Sequence, residues 1–263
     1  FGPAPPRLFA FDGMRYRVLV LAVAGLVLTS WLLWQPTQEL EPIEVHLIPH
    51  SHIDHGWIFD YESCRSRALG ILDSVILALN SDPQRCFVWS EVDYLRDIFR
   101  ERMLVVSNKS IDMAATLRTL VAEGRFEFAG SGWVSPDEAL TRPDAMMTSF
   151  RMAHDWINTT FGKHALPRVG WQIDSFGHSR AVASVMKQLG MHAVILNRLP
   201  GELKQALRRE RRLQFSWVLA DASDAGGSTR REPPMSGSAE TIFANVMFDH
   251  YSSPPGFDFG GLG

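Results

Sequence analysis

From residue 43 to about residue 220, short β-rich runs alternate with longer segments that have helical spacing. The β-rich runs are IEVHLIPH, RCFVWSE, RFEFAGSGW, LPRVGWQID, HAVILNR and LQFSWVL, and amphipathic segments such as DMAATLRTLVAEG and RAVASVMKQLG separate them. Repeated strand–helix units predict an α/β fold in which helices cover a parallel sheet. Because sites in such sheets form at the carboxyl ends of the strands, the polar residues that follow each predicted strand are the candidates for function.

The N-terminal region predicts a membrane anchor. Residues 18–34, VLVLAVAGLVLTSWLLW, carry no charged side chain, and as a helix they would span about 25 Å, close to the thickness of a bilayer's hydrocarbon core. Three arginines precede this run and two glutamates follow it. The positive-inside rule then predicts a cytoplasmic tail at 1–17, a transmembrane signal anchor at 18–34 and a luminal stem at 35–42. A cleaved signal peptide and a buried helix are the alternatives.

The composition limits the partners and the compartment. The formal net charge of −3 disfavours a nucleic-acid partner, which would need a basic surface. The sequons NKS at Asn108 and NTT at Asn158 predict N-glycosylation and agree with export to a lumen. Cys64 and Cys86 could pair in an oxidising compartment, although two thiols make no disulfide framework. The segment at 221–238 is poor in apolar residues and is interpreted as a loop.

The stretch HSHIDHGW, at 50–57, concentrates metal ligands at the end of the first predicted strand. Along an extended chain alternate side chains point the same way, so His50, His52 and Asp54 share one face. Imidazole nitrogen and carboxylate oxygen together suit Zn²⁺. His50 and His55 have an alternative interpretation as packing or supporting residues, whereas a metal is the favoured interpretation for His52 and Asp54.

Two further clusters follow predicted strands. GWQIDSFGHS ends its strand at Asp174, which can face His52 and Asp54 across the same sheet edge and could serve as ligand and nucleophile together. His178 in the same phrase could instead hydrogen-bond the loop at a helix start. EFAGSGWVSPDEAL brings Trp133 and Asp137 to the end of another strand, with a turn cap as the alternative role of Asp137.

The phrases VHLIPHSHIDHGW, FVWSE, EGRFEFAGSGWVSPDEA and GWQIDSFGHS, in this order, resemble glycoside hydrolase family 38, the class II α-mannosidases. The resemblance covers about residues 43–259. It implies a parallel (β/α) barrel-like catalytic domain, seven-stranded in the family, over 43–263. It also implies that this domain is incomplete at the C-terminus, because the family's general-acid aspartate and a fourth, histidine ligand to zinc have no counterparts here.

The resemblance also implies site residues and a reaction. His52, Asp54 and Asp174 match the family's Zn²⁺ ligands, and Asp174 matches its nucleophile. The implied reaction is the retaining hydrolysis of terminal α-mannosyl residues on N-glycans. Trp57, Arg198 and, less closely, Tyr251 are expected to line the sugar pocket.

Three departures and two alternatives accompany the resemblance. Ile53, His55 and Ser175 differ from the family's usual residues, although none of the three changes removes a ligand. A zinc-dependent carbohydrate deacetylase is one alternative, and it would need a second histidine ligand. A membrane-anchored, inactive lectin-like relative is the other. The phrase YSSPP, which begins at Tyr251, is typical of lysosomal-type members and the anchor is typical of Golgi-type ones, so we expect a secretory-pathway lumen, the Golgi first and the lysosome second.

Overall fold

The computed structural model describes residues 46–99, 103–106, 109–220 and 240–252. The chain divides into the units Phe1–His46 and Leu47–Gly263, and the fold described below belongs to the second. The predicted tail, anchor and stem, and the loop predicted at 221–238, lie outside the described residues. Among the helices that are described, none combines the length and the apolar character needed to cross a membrane.

The longer helices follow the predicted periodicity, but VDYLRDIFRERM, predicted as one helix, forms only the short helix Val92–Leu95 and a 3-10 turn. The helices are α1 (Tyr61–Ser81), α2 (Val92–Leu95), α3 (Met113–Ala122), α4 (Pro143–Phe161), α5 (Arg180–Gln188) and α6 (Gly201–Arg209), with 3-10 turns at Arg96–Phe99 and Lys163–Ala165. Side-chain caps fix several of the starts: Asp60 accepts from Ser63 N at α1, and Ser179 accepts from Val182 N at α5.

The strands are short. They are β1 (Phe87–Trp89), β2 (Met103–Val106), β3 (Lys109–Asp112), β4 (Phe126–Phe128), β5 (Val169–Gln172), β6 (Ala193–Leu196), β7 (Gln214–Ala220) and β8 (Glu240–Val246). Strand β1 pairs with β4, β2 pairs with β3, and a four-stranded sheet has the order β5-β6-β8-β7. The pairs β1–β4, β5–β6 and β6–β8 are parallel.

Two isolated parallel bridges align these sheets edge to edge. His50 pairs with Val88 on β1, and Gly130, just after β4, pairs with Gly170 on β5. The order at this edge is therefore the His50 segment, β1, β4, β5, β6 and β8, all running in one direction. The loops that follow these strands emerge on the same side, as the strand–helix alternation predicted.

The strand predictions need three corrections. IEVHLIPH was predicted as a strand, yet within its described part, 46–50, only the single bridge at His50 forms. The β2–β3 pair was not predicted, and it is antiparallel. Strand β7 is antiparallel to β8, so the sheet is mixed rather than wholly parallel. The closed seven-stranded barrel remains a prediction.

Among the described residues, three apolar clusters hold the layers together, and the two larger ones join helices to strands. The first contains Leu72 and Ile76 of α1, and it packs these helix residues with the buried β1 residue Trp89. The second joins Met186 of α5 to Val194 of β6 and further residues of β8. Burying each such side chain contributes about 1.5–3 kcal/mol to the stability of the fold. Core packing therefore covers the faces of the sheet, and the polar loops lie at its carboxyl edge.

The bridge between Gly130 and Gly170 requires the absence of side chains. Gly130 N donates to Val169 O (2.9 Å) and Trp171 N donates to Gly130 O (3.2 Å). A Cβ on Gly130 would lie 2.6 Å from Val169 O and 2.6 Å from Met191 Sδ. The backbone oxygen belongs to the strand pairing itself, so it cannot move aside without loosening the bridge.

We expect Gly130→Ala to lower the free energy of unfolding by about 1–3 kcal/mol, because the added methyl overpacks the strand junction. Gly70→Ala is the matched control: Gly70 lies within α1, where a Cβ would meet nothing within 4 Å. That change should raise stability by about 0.5–1 kcal/mol. Denaturant unfolding of both variants measures the difference, and equal stabilities would contradict the close approach at Gly130.

Candidate metal and catalytic site

Three side chains from two loops converge at the carboxyl edge of the sheet. His52 and Asp54 follow the His50 bridge, and Asp174 follows β5. His52 Nε2 lies 3.6 Å from Asp54 Oδ1 and 3.5 Å from Asp174 Oδ2. One ligand atom from each of the three lies within 4.8 Å of those of the other two. The sequence predicted that Asp174 faces His52 and Asp54, and the structure places the three side chains together as predicted.

The geometry of this group fits a shared cation. His52 Nε2 is buried and has no hydrogen-bond partner in the described part of the protein. Two ligand atoms bound to one Zn²⁺ at about 2.1 Å with tetrahedral angles lie roughly 3.4 Å apart, close to the 3.5 and 3.6 Å found for His52 against the two carboxylates. Those separations are too long for hydrogen bonds. A nitrogen and two oxygens are also a donor set that zinc accepts.

The other two histidines of HSHIDHGW have different surroundings. The ring nitrogens of His50 lie 3.1 and 3.3 Å from the backbone oxygens of Ser51 and Tyr251. The ring of His55 stacks on Tyr94 at 4.2 Å between centroids, with planes 4° apart. Burial lowers the pKa of His55, against the opposing charges of Asp93 and Asp54. Neither histidine joins the ligand group among the described residues, which supports the packing alternative for both.

The two oxygens of Asp174 have different neighbours. Oδ1 accepts hydrogen bonds from Arg198 Nε (2.5 Å) and from the Tyr251 hydroxyl (2.9 Å). Oδ2 faces His52. Arg198 and Tyr251, both predicted as pocket residues, therefore orient the carboxylate from one side, and the other oxygen is turned toward the ligand group.

The surroundings of Arg198 and Tyr251 keep both hydrogen-bond donors protonated. Burial opposes the charge on the Arg198 guanidinium, but the hydrogen bond and charge of Asp174 outweigh it, and the pKa of Arg198 lies above its ordinary value. Burial and the bond to Asp174 raise the pKa of Tyr251, so its phenol remains a donor. The Arg198 guanidinium also lies over the Phe176 ring, 4.5 Å from its centroid.

These groups line a cleft of about 590 Å³, within the usual range for small-molecule sites. Asp137, Trp57 and Phe176 line it together with the residues above. The Trp57 side chain is 79% exposed and Phe176 is 67% exposed, so the cleft offers two large aromatic surfaces beside its polar base.

Glu91 is a site residue that the sequence reasoning missed. It follows β1 and is only 2% exposed. Ser51 Oγ donates to its Oε2 (2.5 Å) and Ile53 N donates to its Oε1 (2.8 Å), so one carboxyl group holds the chain on both sides of His52. Burial raises the pKa of Glu91 to about 7, although both hydrogen bonds work against the shift. The only feature of the sequence that pointed to Glu91 was its place at the end of FVWSE, directly after a predicted strand.

The loop after β4 is tied to the loop after β5 by a second buried carboxyl group. His178 Nδ1 lies 3.1 Å from Glu138 Oε1, and Ser179 N donates to Glu138 Oε2 (2.7 Å). His178 therefore binds the neighbouring loop, as its alternative role predicted. Asp137 Oδ1 accepts from Ala139 N (2.9 Å), which is the turn role, although Asp137 also lines the cleft.

Five other residues singled out in the sequence are not part of the ligand group or lie outside the described residues. Trp133 Nε1 donates to Asp93 Oδ1 (2.9 Å), which is a packing role. Asn158 is exposed on α4, and its glycosylation remains a prediction. Asn108 lies outside the described residues. Cys64 is buried and Cys86 exposed, and both are free thiols.

Comparison with known proteins identifies clear relatives. The sequence model described as "Glycosyl hydrolases family 38 N-terminal domain" matches residues 42–259. Alpha-mannosidase F of Dictyostelium discoideum is 36% identical over 222 residues, covering 83% of this chain and 20% of that protein. Lysosomal alpha-mannosidase of Mus musculus is 30% identical over 245 residues, covering 90% and 22%. The chain thus spans about a fifth of the length of the curated relatives it matches.

A solved structure shares the fold. The crystal structure of an alpha-mannosidase from Enterococcus faecalis V583 superposes with a TM-score of 0.57 at 16% identity, covering 78% of this chain and 20% of that one. At this identity the likeness concerns the fold alone.

The raised pKa of Glu91 gives a pH prediction for the metal-free protein. The folded state binds the Glu91 proton more tightly than the unfolded state, so this contribution to stability is complete below pH 4.5 and is lost as the pH rises through about 7. The loss is up to about 3 kcal/mol.

The measurement compares wild type with Glu91→Gln, whose amide does not titrate, by denaturant unfolding with a chelator at pH 5 and pH 8. We expect the wild type to lose stability relative to the variant at pH 8. Parallel pH dependences of the two proteins would contradict the perturbed carboxyl group.

Proposed function

The chain belongs to glycosyl hydrolase family 38, and we propose that it supplies the zinc site and the nucleophile of a retaining α-mannosidase. The observation that carries the proposal is the convergence of His52, Asp54 and Asp174 at the carboxyl edge of a parallel sheet. The relatives named as alpha-mannosidases support the activity, which for the whole protein is part of the proposal because the chain spans a fifth of their length.

In this proposal His52, Asp54 and Asp174 hold the cation. Bound zinc would supply a Lewis-acid template for sugar hydroxyls and would favour the ionised form of its carboxylate ligands. The distances of 3.6 and 3.5 Å from His52 Nε2 to the carboxylates of Asp54 and Asp174 support the assignment, because they match two ligands that share one cation. The hydrogen bonds that Glu91 accepts from Ser51 and Ile53 would keep His52 aimed at the site.

Asp174 is the proposed nucleophile. Its carboxylate attacks the anomeric carbon, the bond from that carbon to the leaving oxygen breaks, and a covalent glycosyl-enzyme forms. Water then cleaves the ester with a second inversion, so the configuration is retained. Arg198 and Tyr251 hold Oδ1 and so fix the approach of the carboxylate. The leaving oxygen also needs a proton from a general acid.

The cleft supports a sugar substrate. The exposed Trp57 ring offers an apolar face to a pyranose, beside the polar groups around Asp174. We propose terminal α-mannosyl residues of N-glycans as the substrate, met in the lumen of the secretory pathway. The anchor at 18–34, with a Golgi or lysosomal location, belongs to the same proposal.

The site favours this chemistry over deacetylation. A zinc deacetylase would use a second histidine ligand. The nearest candidates in sequence, His50 and His55, instead contact backbone oxygens and Tyr94 respectively. The inactive lectin-like alternative differs only in turnover and is separated from a hydrolase by the experiments below.

Zinc binding to the chain tests the ligand group. We expect one Zn²⁺ per chain, with His52→Ala weakening the affinity at least about tenfold, because one of three converging donors is lost. Competition with a chromophoric chelator measures the affinity. His164→Ala is the matched control, since His164 is exposed in the 3-10 turn Lys163–Ala165. Equal affinities of the two variants would remove His52 from the site.

Turnover by the full-length protein tests the nucleophile. We expect Asp174→Asn to lower the hydrolysis of an aryl α-mannoside at least about 10³-fold, because the amide cannot form the glycosyl ester. Asp155→Asn, at an exposed position of α4, should retain wild-type rates. Unchanged turnover in Asp174→Asn would exclude Asp174 as nucleophile. Zinc binding without turnover in the wild type would favour the lectin-like alternative.

A further inference from the structure

Helix α6 lies beside the site without contributing to the core. None of its residues is buried. Two of its basic side chains, one turn apart, instead reach the segment after β8: the Arg208 guanidinium lies over the Phe248 ring, 4.0 Å from its centroid, and Lys204 Nζ donates to Asp249 O (2.5 Å). Polar and cation–π contacts therefore attach the helix to this segment.

Lys204 also binds the end of β6. Its Nζ donates to Asn197 O (3.0 Å) and to Asn197 Oδ1 (2.9 Å). Asn197 is 2% exposed, so the ammonium satisfies an amide oxygen that has little access to water. With Asp249 O, three acceptors match the three donors that an ammonium group has. Burial lowers the pKa of Lys204, as expected for an ammonium group withdrawn from water.

The two segments that Lys204 joins carry the two partners of Asp174. Asn197 directly precedes Arg198, and Asp249 stands two residues before Tyr251. Arg198 and Tyr251 both donate to the same oxygen, Asp174 Oδ1. A shift of either segment would move its donor relative to that oxygen.

We propose that Lys204 is a positioning residue, which ties the chain after β6 to the chain after β8 and thereby holds Arg198 and Tyr251 together on Asp174. The functional part of this inference rests on the proposed role of Asp174 as nucleophile. Lys204 does not touch the substrate cleft itself, since the residues that line the cleft do not include it. Its effect on the reaction is therefore indirect and acts through the orientation of one carboxylate.

The first test needs no activity. The chain contains four tyrosines, and labelling them with 3-fluorotyrosine gives a fluorine NMR line for each, with the Tyr251 line identified by its loss in Tyr251→Phe. We expect Lys204→Met to displace the Tyr251 line and to leave those of Tyr61 and Tyr94 in place. Arg209→Met, an exposed cation on the same helix, should leave all three lines unchanged.

The outcomes of this test separate a local role from a general one. An unmoved Tyr251 line in Lys204→Met overturns the proposal, and so does a displacement of every tyrosine line, since that would show a general disturbance of the fold. Lys204→Arg retains a cationic donor and should bring the Tyr251 line most of the way back to its wild-type position. Failure of this conservative variant to restore it, where Lys204→Met displaces it, would also count against the proposal.

The second test uses the full-length protein. We expect Lys204→Met to lower kcat on an aryl α-mannoside by about tenfold or more and to weaken zinc binding less than His52→Ala does, because Lys204→Met removes none of the three proposed ligands. Tyr251→Phe added to Lys204→Met should cost less than Tyr251→Phe alone, since the phenol is already displaced. If the effects of Lys204→Met and Tyr251→Phe on the activation free energy were strictly additive, the proposed coupling between the two residues would be overturned. If the wild type shows no turnover, the proposed function fails while the fluorine experiment still decides the role of Lys204.

Discussion

The parallel bridge between Gly130 and Gly170 is the contact on which the site depends. His52 and Asp54 belong to the part of the sheet built on β1 and β4, whereas Asp174 belongs to the part built on β5, β6 and β8. Among the described residues, the backbone hydrogen bonds of Gly130 with Val169 and Trp171 align these parts in one direction and at one edge. The ligand distances around His52 follow from that alignment, and bulkier residues at the junction would separate the strands.

Much of the fold was visible in the sequence because it depends on local patterns. Amphipathic spacing predicted the longer helices, although VDYLRDIFRERM, predicted as one helix, forms only α2 and a 3-10 turn. The β-rich runs predicted β1, β4, β5, β6 and β7. Pairing was harder to predict, since it joins residues far apart in the chain: the antiparallel β7–β8 pair and the β2–β3 pair carry no local signal that distinguishes them from parallel neighbours. IEVHLIPH reads as a strand, yet in its described part only one bridge forms.

The convergence of three side chains was predictable, because their residue types and their positions after predicted strands are visible in the sequence. Residues whose part depends only on their position in three dimensions were not. His52, Asp54 and Asp174 combine metal-ligand chemistry with strand ends, which a sequence displays directly. Glu91 gave no such signal, because the sequence does not distinguish a buried glutamate that holds a loop from an exposed glutamate. Lys204 was hidden in the same way, since α6 has the composition of a solvated helix and its contacts with Asn197 and Asp249 exist only in three dimensions.

The placement of the proposed ligands on both sides of the glycine junction has a thermodynamic consequence. A cation shared by His52 and Asp174 would bind the joined sheet and not its separated parts, so binding and assembly would be linked equilibria. At a free metal concentration of 100 times the dissociation constant, such linkage adds about 2.7 kcal/mol to the joined state. Scarcity of the ion would then loosen the junction itself, and the domain's resistance to unfolding would depend on the supply of metal in its compartment.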